Sequence, residues 1–129
     1  MRQQKFADAD AQYKLALSSA GFTPSAKDLN TAGIIAMKVR DYPRANTLLE
    51  RGMALDPSDV GIVLNRASVA MEQKAWEDVY TYAQKAIAVD AASAMANMMM
   101  AIGVSRTGRG DALAAEYEAK AKKLEAEGK

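Results

Sequence analysis

Small and apolar residues recur along the chain with the spacing of amphipathic helices. The apolar positions of one segment are Ala32, Gly33, Ala36 and Val39, and those of the next are Ala45, Leu48, Leu49 and Gly52. Residues three and four positions apart lie on one face of a helix. The turn 40–42 separates the two segments, and Pro43 suits the first positions of a helix. The pattern therefore predicts two helices joined by a short turn.

This helix–turn–helix pattern returns at a fixed interval. The segment 41–45 aligns with 75–79 and with 109–113, each time at an offset of 34 residues. Gly33 aligns with Ala67 at the same offset. A constant period of this length indicates stacked repeats, each of which buries one face against its neighbour. The predicted hairpins occupy residues 26–59, 60–93 and 94–127.

Residues with capping chemistry stand where the predicted helices begin. Ser25 and Asp28 have the spacing of a capping box, in which each side chain bonds the backbone of the other. Ser58, Ser93 and Asp111 are the corresponding N-cap candidates of later helices. Gly108 and Gly110 are interpreted as glycines of the last hairpin turn.

The period and its small residues resemble the tetratricopeptide repeat. With Ala26 as position 1, the signature positions hold Leu29, Gly33, Ala45, Leu49 and Pro57. The resemblance implies an all-α fold, a right-handed superhelical stack of antiparallel helix–turn–helix repeats that forms one domain over 1–129. Residues 3–19 match the second helix of a truncated repeat. We therefore hypothesise that the chain is the C-terminal part of a longer repeat protein.

In this family the first helix of each repeat lines a concave face, which is the usual binding surface. The residues predicted on that face are Asn30, Ile34, Met37, Leu64, Asn65, Met71, Met95, Met98, Met99 and Ile102. Methionine is flexible and polarisable, so a surface rich in it adapts to different apolar partners. The alternative is that these methionines pack between neighbouring helices, against a missing segment or against a second chain.

One subclass of the family binds chaperone C-terminal carboxylates through a clamp of Lys, Arg and Asn. Asn65 matches one clamp position, where it either bonds a peptide backbone or is merely solvated. Asn30 and Ile34 stand where the clamp has Lys and Asn, and Met95 and Met99 stand where it has Lys and Arg. A carboxylate desolvated there would have no cation to compensate it, so this specificity is disfavoured.

Composition narrows the remaining function classes. A net charge of +1 gives no basic surface for nucleic acid. The absence of cysteine and histidine removes thiolate and imidazole ligands and the commonest general base. Acidic pairs such as Asp8/Asp10 and Glu77/Asp78 are interpreted as favourable charges at helix beginnings or turns. We expect no enzyme activity, no cofactor and no metal, and the apolar stretch 98–104 is too short to cross a membrane.

The sequence thus predicts a protein–protein interaction scaffold that holds a peptide or helix in a methionine-rich groove. Phe6, Tyr42 and Trp76 occupy one repeated position and are interpreted as packing between repeats. The alternatives are a self-association module that forms a homo-oligomer, or an accessory domain of a larger bacterial assembly or secretion protein or enzyme. A cytoplasmic and a periplasmic location are both compatible with the sequence.

Overall fold

The chain folds into α-helices joined by short turns. A computed structural model describes residues 2–128, and within that range the helices are α1 (Arg2–Ser18), α2 (Ala26–Lys38), α3 (Tyr42–Leu55), α4 (Val60–Glu72), α5 (Trp76–Val89), α6 (Ala94–Arg106) and α7 (Asp111–Glu127). Each predicted hairpin interval contains two of these helices, and α1 covers the interval of the predicted lone helix. The predicted all-α class is confirmed.

Contacts divide the chain into two compact units. The first unit, Met1–Pro57, contains α1, α2 and α3, and the second unit, Ser58–Lys129, contains α4 to α7. Each unit is described by itself below. That the whole of 1–129 behaves as one domain stays a prediction.

Several helix starts have the capping chemistry expected from the sequence. The Ser25 hydroxyl oxygen accepts a hydrogen bond from the Asp28 backbone N–H at 3.0 Å, and the Asp28 carboxylate accepts one from the Ser25 N–H at 2.9 Å. This reciprocal pair is the predicted capping box at the start of α2. Ser93 likewise caps α6, since its hydroxyl oxygen accepts from the Ala96 N–H at 3.1 Å.

Two predicted caps were wrong by one residue. Asp59, not Ser58, is the N-cap of α4, and its carboxylate accepts from the Gly61 N–H at 2.9 Å. Gly110, not Asp111, holds the cap position of α7 and makes no side-chain bond there. Gly110 has a φ of +123°, which glycine tolerates because it lacks a Cβ. Asp111 therefore enters the first helical turn, where its charge still favours the positive helix end.

The first unit has its apolar core between α2 and α3. The fully buried apolar residues of this hairpin include Leu29, Ala32, Ala36, Ala45 and Leu49. A Cβ added to Gly33 would lie 2.7 Å from Cγ of Leu49. The two helices therefore approach closely at the glycine that the repeat pattern singled out.

A network of charged side chains joins helix α1 to this hairpin. Asp10, only 6% exposed, accepts a hydrogen bond from the Arg44 guanidinium and lies 3.6 Å from Lys14 Nζ. Arg44 also donates from Nε to Asp41 at 3.0 Å. The hydrogen bond to Asp10 raises the pKa of Arg44, and the hydrogen bond from Arg44 lowers the pKa of Asp41. The interpretation of Asp10 as a charge at a helix beginning was wrong, because it lies buried in the middle of α1.

The second unit packs two hairpins around a small-residue and methionine core. Its buried cluster comprises Ala67, Ala83, Met99, Met100 and Val104. Gly103 of α6 lies directly on the α5 backbone, since an added Cβ would stand 2.8 Å from Cα and 2.9 Å from N of Tyr80. Met100 is 3% exposed and lies in the core, as its position in the repeat predicted.

Candidate functional site

In the first unit, the residues predicted to line a groove share one face of α2. Asn30, Ile34 and Met37 are spaced four and three residues apart, and all three are half-buried. Two cavities of the first unit lie elsewhere. One of about 340 Å³ is lined by residues that include Pro24 and Leu55, and one of about 320 Å³ lies between α1 and α3.

In the second unit, three predicted residues meet at a single pocket. Met71, at the end of α4, and Met98 and Ile102, on α6, line a cavity of about 420 Å³. All three side chains are half-buried, so each has one side against protein and one side facing the cavity. The volume is at the small end of ligand pockets, enough for one bulky side chain rather than for a whole helix.

The remaining predicted residues of the second unit lie outside this pocket. Leu64 is half-buried and packs against the core cluster, while Asn65 is half-buried on the next position of α4. Met95 is 58% exposed on the first turn of α6. Met99 is 7% exposed and belongs to the core cluster, so for this methionine the structure shows the packing alternative.

The pocket also has walls that the sequence interpretation missed. Trp76, at the first position of α5, lines it together with Ala101, Ser105, Arg106, Ala114 and Glu118. Trp76 was interpreted only as a packing residue between repeats. The missed signal is its place directly after the turn of the second hairpin, which puts the ring beside the last turn of α4, where Met71 lies. The site is therefore an aromatic and aliphatic pocket with a charged rim, rather than a groove of methionines alone.

Two charged side chains lie at the rim of the pocket, Arg106 and Glu118. The Arg106 guanidinium carbon lies 4.7 Å from the centre of the Trp76 ring, a cation–π stack. Glu118 is within 3.2 Å of Lys122 Nζ, one helical turn further along α7. Within residues 2–128, no carboxylate lies within ion-pair distance of Arg106.

A neighbouring arginine shows the contrasting arrangement. Arg109 stacks on Tyr80 at 3.8 Å, and its two terminal nitrogens also donate to the Glu77 carboxylate at 3.2 Å each. These hydrogen bonds raise the pKa of Arg109. Arg109 thus forms an ion pair with an acid of its own unit, whereas the N–H donors of Arg106 lie beside the pocket.

Comparisons with known proteins agree with this architecture. No protein-family model matches the chain. Stress-induced-phosphoprotein 1 of Caenorhabditis elegans is 29% identical over 82 residues, which are 64% of this chain and 25% of the nematode protein. The match therefore spans about a quarter of the length of that curated relative.

Solved structures of MamA superpose on nearly the whole chain. One crystal structure gives a TM-score of 0.83 at 18% identity and covers 95% of this chain and 70% of MamA. A MamA double mutant gives 0.80 at 20% identity, covering 98% and 69%. A third, residues 41 to the end of MamA from Desulfovibrio magneticus RS-1, gives 0.75 at 16% identity, covering 97% and 76%.

The fold is that of a helical-hairpin repeat protein. The 34-residue period and these matches support the predicted resemblance to the tetratricopeptide repeat, and the solved structures show that the chain shares its helical-hairpin fold. Among the described residues, no helix is both long and apolar enough to cross a bilayer.

Proposed function

We propose that this chain is a protein-interaction module, and that the pocket of its second unit takes an apolar side chain from a partner peptide or helix. The observation that carries the proposal is the convergence of Met71, Met98 and Ile102 with Trp76 on one 420 Å³ cavity. Each wall offers an apolar surface that is only half-covered by the protein itself. An apolar side chain entering the cavity would remove that surface from water, which is the main favourable term in association.

The pocket chemistry supports an adaptable site. Methionine side chains have three rotatable bonds and a polarisable sulfur, so Met71 and Met98 can repack around anchors of different shape. Trp76 adds a rigid ring of large area, the kind of residue that dominates binding energy at interfaces. We extend the proposal to the predicted groove residues Asn30, Ile34 and Met37, and to Leu64 and Asn65, as further partner contacts. The exposed Met95, which lies outside the pocket lining, is assigned to the alternative of self-association. The scaffold role includes no catalysis, cofactor or metal.

A matched pair of methionine variants tests the proposal. Trp76 is the one tryptophan of the chain, so its fluorescence reports on the pocket itself. Peptides are selected from a displayed random library on the wild-type protein and titrated against each variant. Met98→Glu places a charge in the pocket and should weaken binding at least tenfold, since burying an unpaired charge is costly. Met95→Glu makes the same change on an exposed position of the same helix and should leave binding within twofold.

An equal loss of peptide binding in both methionine variants, or no loss in either, would contradict the pocket as the binding site. A circular dichroism melt of each variant checks that the fold is retained. The two substitutions make the same chemical change at different positions, so a difference in peptide binding between them reports on position alone.

Self-association is the second candidate function, and the exposed Met95 favours it. Light scattering across concentrations distinguishes the two functions. A mass that rises with concentration in the wild type and not in Met95→Glu would establish self-association through α6. A constant monomer mass in both leaves peptide binding as the function.

A further inference from the structure

The pocket rim holds a cation that is positioned but not neutralised. The Arg106 guanidinium lies over the Trp76 ring at 4.7 Å, and stacking of this kind leaves the edge N–H donors free to face outward. No described residue of the chain forms an ion pair with it. A long side chain held on an aromatic face has already lost part of its rotamer freedom, so less is lost when a ligand binds to it.

The other charged group at the pocket does not oppose an anion strongly. Glu118 lies 3.2 Å from Lys122, so a cation of its own helix offsets part of its charge. Arg109 is already held by Glu77 through two hydrogen bonds. Arg106 is the cation among the described residues that line the pocket, and its charge favours a negative group beside an apolar anchor.

We propose that the partner segment carries one bulky apolar side chain that enters the pocket against Trp76, and an Asp or Glu within about one helical turn whose carboxylate pairs with Arg106. This inference rests on the proposed function and names the partner chemistry. Arg106 and Trp76 are then the residues that determine specificity, and the methionines supply an adaptable apolar surface.

Other anions fit the rim less well than a side-chain carboxylate. Phosphorylated motifs are usually recognised by clusters of arginines, and the pocket has one. A chain-terminal carboxylate is usually captured by several converging donors, often backbone N–H groups, whereas here a single exposed guanidinium stands at an open edge. An Asp or Glu side chain can reach that edge from the solvent side while the neighbouring apolar residue is buried.

A specificity-reversal experiment tests this inference. Random seven-residue peptides, fused to phage at their C-termini so that they carry no free terminal carboxylate, are selected on the full chain and on Arg106→Glu. The wild type should enrich an apolar residue with Asp or Glu within four positions. Arg106→Glu should enrich the same apolar residue with Lys or Arg instead.

Affinities of one selected peptide then measure the pair directly through Trp76 fluorescence. Changing its acidic residue to the matching amide should weaken binding to the wild type by roughly three- to fivefold, as expected for a partly solvated ion pair. The same peptide change should have no effect on Arg106→Gln. Added salt should reduce the wild-type difference, since exposed charges are screened.

The matched control is Arg109→Gln, which removes an aromatic-stacked arginine of the same unit from outside the pocket lining. It should select the same acidic peptides as the wild type. Melting curves for both glutamine variants check that lost selectivity does not come from unfolding.

The outcomes separate this inference from the proposed function. Apolar peptides with no charge preference on either protein would overturn the role of Arg106 and leave the apolar pocket intact. An acidic preference that persists in Arg106→Glu would also overturn it. Failure to enrich apolar peptides at all, or selection unchanged in Met98→Glu, would overturn the proposed function together with the inference.

Discussion

The two units add helices to a repeat hairpin by different physical means. In the first unit, Asp10 is the one buried residue among positions 3–18 of α1, and it bonds Arg44. In the second unit, α6 buries seven residues, among them Met100 and Val104, against its neighbours. Apolar burial is favourable over a whole surface, whereas a buried ion pair is favourable only while both partners remain in place.

This difference predicts which substitutions destabilise each unit. Helix α1 has one buried residue among positions 3–18, and its apolar side chains such as Phe6 and Tyr13 are only half-buried. We therefore expect its docking to depend strongly on the network around Asp10 and on one bond from the Gln3 amide to the Lys38 carbonyl at 2.9 Å. Helix α6 depends on shape, because Gly103 allows it to lie on the backbone of Tyr80. We expect charge changes to free α1 and added volume to displace α6.

The largest effect is expected from Gly103→Ala. An added Cβ would lie 2.8 Å from Cα of Tyr80, and backbone atoms cannot move aside as a side chain can. Although alanine is the better helix former, the overlap should lower the free energy of unfolding of the second unit by about 2 kcal/mol. Urea unfolding followed by Trp76 fluorescence measures this directly.

The matched comparison is Gly33→Ala in the first unit. There the added Cβ meets the side chain of Leu49, at 2.7 Å from Cγ and 2.8 Å from Cδ2, and that side chain can change rotamer. We expect less than half the loss, about 1 kcal/mol or under. Hydrogen exchange compares the two variants unit by unit, and equal losses would contradict the distinction between backbone and side-chain contact.

An intermediate loss of stability, confined to α1, is expected from Asp10→Ala. The substitution leaves the Arg44 guanidinium without its buried acceptor, so α1 should undock more readily. We expect the opening free energy of α1 to fall by roughly 1.5 kcal/mol, a value between those of exposed and buried pairs. Hydrogen exchange of residues 2–18 measures the opening, and exchange in the α2–α3 hairpin should change little.

Asp8→Ala is the matched control on the same helix. Asp8 is exposed and, among the described residues, accepts a hydrogen bond from the nearby Gln4 side chain at 3.0 Å. Its removal should alter the exchange of α1 by less than 0.5 kcal/mol. If both variants exchange alike, docking of α1 does not depend on Asp10.

The contrast between the units also marks what sequence patterns can predict. Each interval predicted from the 34-residue period contains two of the described helices, because the period reflects local spacing and local spacing determines which residues share a helix face. The caps at Ser58 and Asp111 were displaced by one residue, because neighbouring Asp59 and Gly110 compete for the same backbone position. Such competition is decided by turn geometry that a linear pattern does not contain.

The candidate site was predictable only in part. Position in the repeat predicted that Met71, Met98 and Ile102 face one side, and they line one pocket. The same rule also placed Met99 on that side, but Met99 packs in the core. Neighbouring residues of a helix point in different directions, so one of them can face a pocket while the next faces the core. The stack of Arg106 on Trp76 joins residues 30 positions apart, and no periodic rule reports such a side-chain contact.

A smaller difference is expected between the caps of the two units. Ser25 and Asp28 form a reciprocal capping box, whereas the Ser93 hydroxyl accepts one bond, from the Ala96 N–H, and no acidic side chain among the described residues returns a bond to the Ser93 N–H. Ser25→Ala should destabilise α2 by about 1 kcal/mol, and Ser93→Ala should destabilise α6 by slightly less. Hydrogen exchange in the first turn of each helix checks the order, and a larger loss at Ser93 would reverse it.

The smallest effect concerns acid sensitivity at Asp41. The hydrogen bond from Arg44 lowers the pKa of Asp41 below its ordinary value of 3.8, so the folded first unit binds a proton less readily than the unfolded chain. The resulting stability is present above pH 3.8 and is lost as the pH falls through the lower folded pKa.

Because the Asp41 side chain is 41% exposed, solvent screening limits the contribution to a few tenths of a kcal/mol. Asp41→Asn keeps a capping oxygen and removes the charge, so its loss of stability relative to the wild type at pH 7 should shrink as the pH falls through the lowered pKa of Asp41. Hydrogen exchange in α3, corrected for intrinsic rates, measures this difference. The same Asp41→Asn change in an Arg44→Gln background should show a smaller pH dependence, and an equal dependence would assign the effect to the helix end rather than to Arg44.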